Sequence, residues 1–285
     1  MAGRISCGEQ DASVVRRGLL ADLGAHAAPA PHVRVPAAER PDLVEEIRAA
    51  YEHVHQQAVG FGPQLSQSGL LALLELRLPD TYTHAQRVAS CSVALARAMK
   101  LPDAEVRLIR RAAWLHDIGK LVVPMRLLRH RGRLQREEIA ALRMHVTLGA
   151  DLVASIPALA DAAPMIVATH ERYDGSGYPH RLSGDDIPVG ARIIAVADCY
   201  DAMVNRRPYC EPITREDAHN EMVRCSGSHF DPEVVREWVA MIGTAGCPVT
   251  VGRLAPAHAG AGRVLSGCFG ASSAIHAPVA SVVTR

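Results

Sequence analysis

With 285 residues and 48% apolar composition, the chain can bury a substantial core, enough for one or two domains, without needing a partner to fold. Its 31 Lys and Arg nearly cancel its 30 Asp and Glu, which excludes a whole-molecule field for a nucleic acid polymer or an anionic membrane; an anionic substrate must be gripped locally. No window approaches the ~20 apolar residues of a membrane span, and seven cysteines without a CxxC pair or a secretory leader fit a reducing, cytoplasmic setting.

Residues 1–40 mix Gly, Ala, Pro and scattered charges without a sustained period and read as a weakly ordered arm. Helical periodicity follows. Leu43, Ile47 and Tyr51 mark a helical extension over 41–65, suited to capping or dimerisation, and Leu70, Leu71, Leu74 and Leu76 mark a second helix. Further helices are expected near 82–99, 103–117, 135–154, 160–170, 190–205, 215–224 and 232–242, with no alternating strand. Thr214 with Asp217 resembles a capping box, and Asp231-Pro232 offers an N-cap and a first-turn proline. Residues 243–285 hold no Asp, Glu or Lys and are rich in Gly, Ala, Ser, Pro and Val, the composition of a flexible tail. The expected architecture is all-α, a helical bundle with a short N-terminal helical extension.

Three strings carry the chemistry: His116-Asp117-Ile118-Gly119-Lys120, His170-Glu171 leading into Asp174-Gly175-Ser176-Gly177-Tyr178-Pro179, and Asp198 with Asp201. Trp114, Leu115 and Ile118 are apolar around His116-Asp117, and a continuing helix would put Lys120 on the same face as both. Asp80 and His84 form another carboxylate-imidazole pair at i, i+4. His145 sits in an amphipathic stretch with Ile139, Leu142, Val146 and Leu152, and His170 ends the apolar run 165–168. Asp198 and Asp201 lie in a helix otherwise made of Ile, Val and Ala, where an unpartnered carboxylate is costly. They serve there as metal ligands, or as a cap or ion pair with Arg192 or Arg206. Mixed imidazole and carboxylate donors on converging helices suit iron, manganese or zinc. Two such ions about 3.5–4 Å apart would activate water and neutralise phosphoryl oxygens. His53, His55, His130, His219 and His258 read as ordinary hydrogen-bonded histidines, Cys199 as a packing residue, and the Arg cluster 126–136 as a solvated face.

The ordered set of motifs resembles the HD-GYP family of HD-domain metal-dependent phosphohydrolases over about residues 66–242. The resembling pieces are His84 with Arg87-Val88, His116 to Lys120, Leu134 to His145, His170-Glu171 to Pro179, Ile187-Pro188, Ala197-Asp198, Arg207-Pro208-Tyr209 and Phe230-Asp231-Pro232. The resemblance implies an all-α HD-domain bundle that hydrolyses cyclic di-GMP to linear pGpG or GMP in bacterial signalling. It implies two or three divalent ions, iron or manganese foremost, with zinc, magnesium and nickel compatible; the departures named below reduce the expectation to two. Carried over by position, His84, His116, Asp117, His145, His170 and Asp198 would bind metal, with Asp117 bridging and Asp80 reaching an additional ion. Lys120, Tyr178 and Arg207 would contact phosphate or the attacking water.

Three departures accompany it. Thr169 stands where the family has a second histidine, Asp80 where glutamate is common, and Cys210 where a cation usually follows Arg-Pro-Tyr. They motivate a competing expectation, a module that binds cyclic di-GMP or a signalling protein without turnover; a third is hydrolysis of another nucleotide. The 65 residues ahead of position 66 are too few for a receiver domain, so regulation is expected through a homodimer or not at all.

Overall fold

The computed structural model describes residues 43–60, 66–130, 132–205 and 212–245. The expected arm over 1–40, the tail beyond 245, Arg207 and Cys210 lie outside the described residues. Among those described there are ten α-helices and no β-strand, so the all-α expectation holds. In chain order they are α1 (Leu43–Gly60), α2 (Gln67–Arg77), α3 (Pro79–Ala98), α4 (Asp103–Leu115), α5 (Met125–Leu128), α6 (Arg136–Ala154), α7 (Ala163–Val167), α8 (Val189–Val204), α9 (Arg215–Arg224) and α10 (Pro232–Ala245).

The expected start signals act as read. Thr214 Oγ1 accepts from the Asp217 amide at 3.0 Å, and Asp231 Oδ1 accepts from the Glu233 amide at 2.7 Å, each satisfying a first-turn donor. Between α2 and α3 the break falls at Leu78 (φ −136°, ψ 65°), because Pro79 disfavours the helical region for the residue before it while suiting the first turn of the next helix.

α8 is the central helix. Ile193, Ile194, Val196 and Ala197 have no exposed surface, and the helix is buried on most of its circumference. It packs against α3, α9 and α10, and α3 in turn packs against α4. Trp238 of α10 closes the bundle edge-on against Tyr200 of α8, with centroids 4.8 Å apart.

Two expected helices end early, and both ends lie at functional motifs. The helix expected over 103–117 stops at Leu115; Asp117 takes φ −101°, ψ 8°, and a 3-10 turn spans Ile118–Val122. Gly119 causes this, because its backbone lies against α6, where a Cβ would come within 1.9 Å of the His145 carbonyl oxygen. The helix expected over 160–170 is instead a 3-10 turn, Ala160–Ala162, then the short α7 opened by Pro164. α1 lies against α6 and the Ile118–Val122 turn, burying Ile47 and Val54, and its Glu46 pairs with Arg126. Arg126 remains exposed, as expected of a solvated face, and makes this ion pair there.

Candidate metal centre

The early end of α4 aims Asp117 into the bundle. Asp117 is 1% exposed, and its Oδ2 lies 2.6 Å from Lys120 Nζ. In a 3-10 turn residues three apart eclipse, so Lys120 meets Asp117 without the continuous helix expected from the sequence, and His116 Nε2 lies 3.5 Å from the same Asp117 oxygen. Burial pushes the Asp117 carboxyl pKa up, but Lys120, His116 and His145 outweigh it and hold the group well below the usual carboxylate range.

Two imidazoles face this carboxylate. His116 Nδ1 lies 2.8 Å from the Ala113 carbonyl and His145 Nδ1 lies 2.6 Å from the Leu142 carbonyl. A carbonyl only accepts, so in both rings Nδ1 carries the proton and, in the neutral ring, Nε2 presents a lone pair. Burial lowers the His116 pKa, which favours the neutral ring. Both Nε2 atoms are buried without a hydrogen-bond partner among the described residues, each 3.5 Å from an Asp117 oxygen. Acceptors thus face acceptors at buried positions, an arrangement that a cation between them satisfies. The donor set fits a divalent metal.

His84 of α3 approaches from the other side. Its Nε2 lies 3.9 Å from Asp117 Oδ2 and 2.9 Å from Asp198 Oδ1 of α8. Its Nδ1 lies 2.6 Å from Asp201 Oδ2, and Arg87 grips the same carboxylate with Nε at 2.6 Å and Nη2 at 2.9 Å. Burial raises the Asp201 pKa, but the hydrogen bonds from His84 and Arg87 prevail and hold it below its ordinary value. Asp201 is therefore an ionised acceptor that fixes the ring of His84, the carboxylate-histidine pairing common behind metal ligands. The expected pairing with Arg192 is corrected: Arg192 goes instead to Asp185 and Asp231. Arg206 lies outside the described residues.

Ligand atoms of His84, His116 and Asp117 lie within 4.8 Å of one another, as do those of Asp117, His145 and His170. Asp117 is common to both groups. Each group contains one edge-on imidazole pair, His84 with His116 at 5.4 Å and His145 with His170 at 5.3 Å. Asp80 belongs to neither group and stands exposed in the first turn of α3.

The loop after His170 folds back on itself. A Cβ on Gly177 would come within 2.4 Å of the Arg172 nitrogen, so only glycine allows this approach. Glu171 Oε1 accepts from the His180 amide at 2.6 Å, and the Tyr178 amide donates to the His170 carbonyl at 3.2 Å. Tyr178 thereby stacks parallel to His170, with centroids 5.3 Å apart. Burial raises the Tyr178 pKa well above its ordinary value, more than Arg143 lowers it, so the phenol stays a neutral donor. Thr169, also buried, donates its hydroxyl proton to the Ile166 carbonyl at 2.8 Å.

Residues 70–234 match the HD domain family. The chain belongs to that family. Its motifs resemble those of the HD-GYP branch. It is 41% identical over 164 residues to a 3′3′-cGAMP-specific phosphodiesterase of Vibrio cholerae, covering 57% of this chain and 31% of that protein. It is 40% identical over 171 residues to a cyclic di-GMP phosphodiesterase of Thermotoga maritima, covering 59% of this chain and 46% of that protein. The chain thus spans less than half the length of these relatives. A cyclic GMP-AMP specific phosphodiesterase structure from V. cholerae shares the fold, with a TM-score of 0.50, 18% identity, and coverage of 64% of this chain and 50% of that one. No helix among the described residues is long and apolar enough to cross a membrane.

Asp201 and Arg87 are the supporting residues whose part the sequence left open, and Arg143, beside Tyr178, carried no signal at all. Asp201→Asn is expected to weaken metal affinity roughly 10- to 100-fold, because an amide neither favours Nδ1 protonation of His84 nor holds Arg87 by two charged contacts. Metal titration of the metal-free protein measures this; an unchanged isotherm would show that His84 is oriented without Asp201.

Proposed function

We propose that the chain is a metal-dependent phosphodiesterase that hydrolyses a cyclic dinucleotide, cyclic di-GMP foremost, to the linear dinucleotide or GMP in bacterial signalling. The observation that carries the reading is the buried ring of imidazole lone pairs facing Asp117, beside a loop that presents a neutral Tyr178. The names of the two relatives support the substrate class. His84, His116, Asp117, His145, His170 and Asp198 are the proposed ligands of two ions, iron or manganese by their mixed nitrogen and oxygen donors, with Asp117 shared and Asp80 peripheral. The proposed catalytic unit is 66–242, preceded by the arm (1–40) and helical extension (41–65) and followed by the tail (243–285), in a cytoplasmic setting.

Bound ions supply Lewis acidity toward the phosphodiester and activate its attacking water. The chain's own groups do the rest. Lys120 holds Asp117 ionised and brings an ammonium to the edge of the centre. Tyr178, kept protonated by burial, donates to a phosphate oxygen, and Arg207 adds a cation to the phosphate. Asp201 and the Ala113 and Leu142 carbonyls keep three imidazoles aimed inward.

The test is turnover of cyclic di-GMP and 3′3′-cGAMP by the full chain, purified anaerobically and supplied with Mn2+ or Fe2+, with metal content measured in the same sample. About two ions with hydrolysis of either dinucleotide is the expected result. Thr169 favours a second reading, a binding module without turnover, since it replaces an imidazole and directs its proton at its own backbone. Two bound ions with tight dinucleotide binding and no product would establish that reading instead.

A further inference from the structure

His84, His116 and His145 are each oriented through Nδ1 by an acceptor, either Asp201 or the carbonyl three residues earlier. His170 is also held by its ring faces and edges. His145 meets it edge-on at 72°, and Tyr178 lies against it with an interplanar angle of 4°. Tyr178 comes from a loop, and a loop ring needs its own anchor. Arg143 supplies one: its guanidinium carbon sits over the Tyr178 ring, 4.6 Å from the centroid. α6 therefore reaches His170 twice, directly through His145 and indirectly through Arg143 and Tyr178.

We infer that Arg143 is a positioning residue of the metal centre: its guanidinium fixes the Tyr178 ring, and that ring fixes the imidazole plane of His170. The inference rests on the metal-hydrolase reading above. Tyr178 and Arg143 are both half-buried, so water screens the cation from the aromatic face less than it would at a fully exposed pair. The same phenol ends in a buried hydroxyl with no hydrogen-bond partner among the described residues. One ring thus links the phosphate-facing donor to a metal ligand, and Arg143 sets the position of both.

Mn2+ titration of the metal-free full-length protein, followed by the electron paramagnetic resonance signal of free Mn2+, tests this without reliance on turnover. Circular dichroism of each variant establishes that it is folded. Arg143→Gln, which keeps length and removes the cation, is expected to weaken the binding of one Mn2+ by about 10-fold or more. Arg143→Lys, which keeps a cation, should recover much of it. Tyr178→Phe retains the ring and should bind Mn2+ like the wild type while losing turnover; Tyr178→Leu should bind as poorly as Arg143→Gln. A wild-type isotherm from Arg143→Gln overturns the inference, and so does Tyr178→Phe binding as weakly as Tyr178→Leu. Failure of the wild type itself to bind Mn2+ overturns the metal-hydrolase reading, and the inference with it.

Discussion

Asp117→Asn is expected to leave a folded protein that neither retains divalent metal nor hydrolyses a cyclic dinucleotide. Asp117 is the one carboxylate shared by both groups of candidate ligands, and its two oxygens face opposite imidazoles, Oδ1 toward His145 and Oδ2 toward His116 and His84. Changes behind a ligand already cost about 10- to 100-fold in metal affinity or activity, so loss of a shared anionic ligand should cost more and bring turnover to the metal-free background. Asparagine is the informative replacement. It keeps the shape, and its amide NH2 can donate to an imidazole lone pair that in the metal-free protein faces only another acceptor. Binding the native state alone raises stability by about 2.7 kcal/mol at a metal concentration 100 times Kd. Added Mn2+ should therefore raise the melting temperature of the wild type and leave that of Asp117→Asn unmoved. A metal-dependent rise in the variant, or hydrolysis near the wild-type rate, would remove Asp117 from its proposed place.

The helices were legible where the pattern is local. α9 has the boundaries expected from Thr214 and the residues after it, and α6 differs from expectation by one residue, because caps and apolar spacing decide those ends. Legibility failed at the two places where the chain leaves a helix to present a ligand. His116-Asp117 and His170 both follow an early helix stop that apolar periodicity does not report: the first lies beside the close approach of Gly119 to α6, and the second ends a helix of only 5 residues. Those strings still flagged the right side chains, because a buried carboxylate or imidazole in an apolar stretch needs a partner whatever the backbone does.

What the sequence could not supply was the identity of partners distant along the chain. Asp201 plainly needed one, yet Arg192, a cation near it in sequence, pairs with Asp185 and Asp231: the partners described for Asp201 are His84 and Arg87, brought across by the packing of α3 on α8. Arg143 is the harder case. Beside His145 on an amphipathic helix it reads as an ordinary half-exposed cation, and only the fold-back of the Gly177 loop puts an aromatic ring beneath it.

Gly119→Ala is expected to damage stability and the site together. The added Cβ would lie 1.9 Å from the His145 carbonyl oxygen and 2.8 Å from the Gly149 nitrogen. Both neighbours are backbone of α6, so no side-chain rotation relieves the contact; either the 3-10 turn or the helix must shift. Overpacking commonly costs about 1–3 kcal/mol, and a collision with backbone belongs at or beyond the upper end of that range. For a chain of this size about 3 kcal/mol corresponds to a fall of roughly 6–12 °C in Tm. The shift also separates the two ligand-bearing segments, because Asp117 lies two residues before the glycine and the struck carbonyl belongs to His145 itself. A misplacement of about 1 Å can cost on the order of 100-fold in rate, so turnover should fall further than the loss of folded protein explains. Thermal melting, with turnover assayed well below the lowered Tm, separates the two effects. A variant that melts like the wild type would mean that the Gly119–Gly149 approach is looser than described, and that the Asp117 turn takes its geometry from elsewhere.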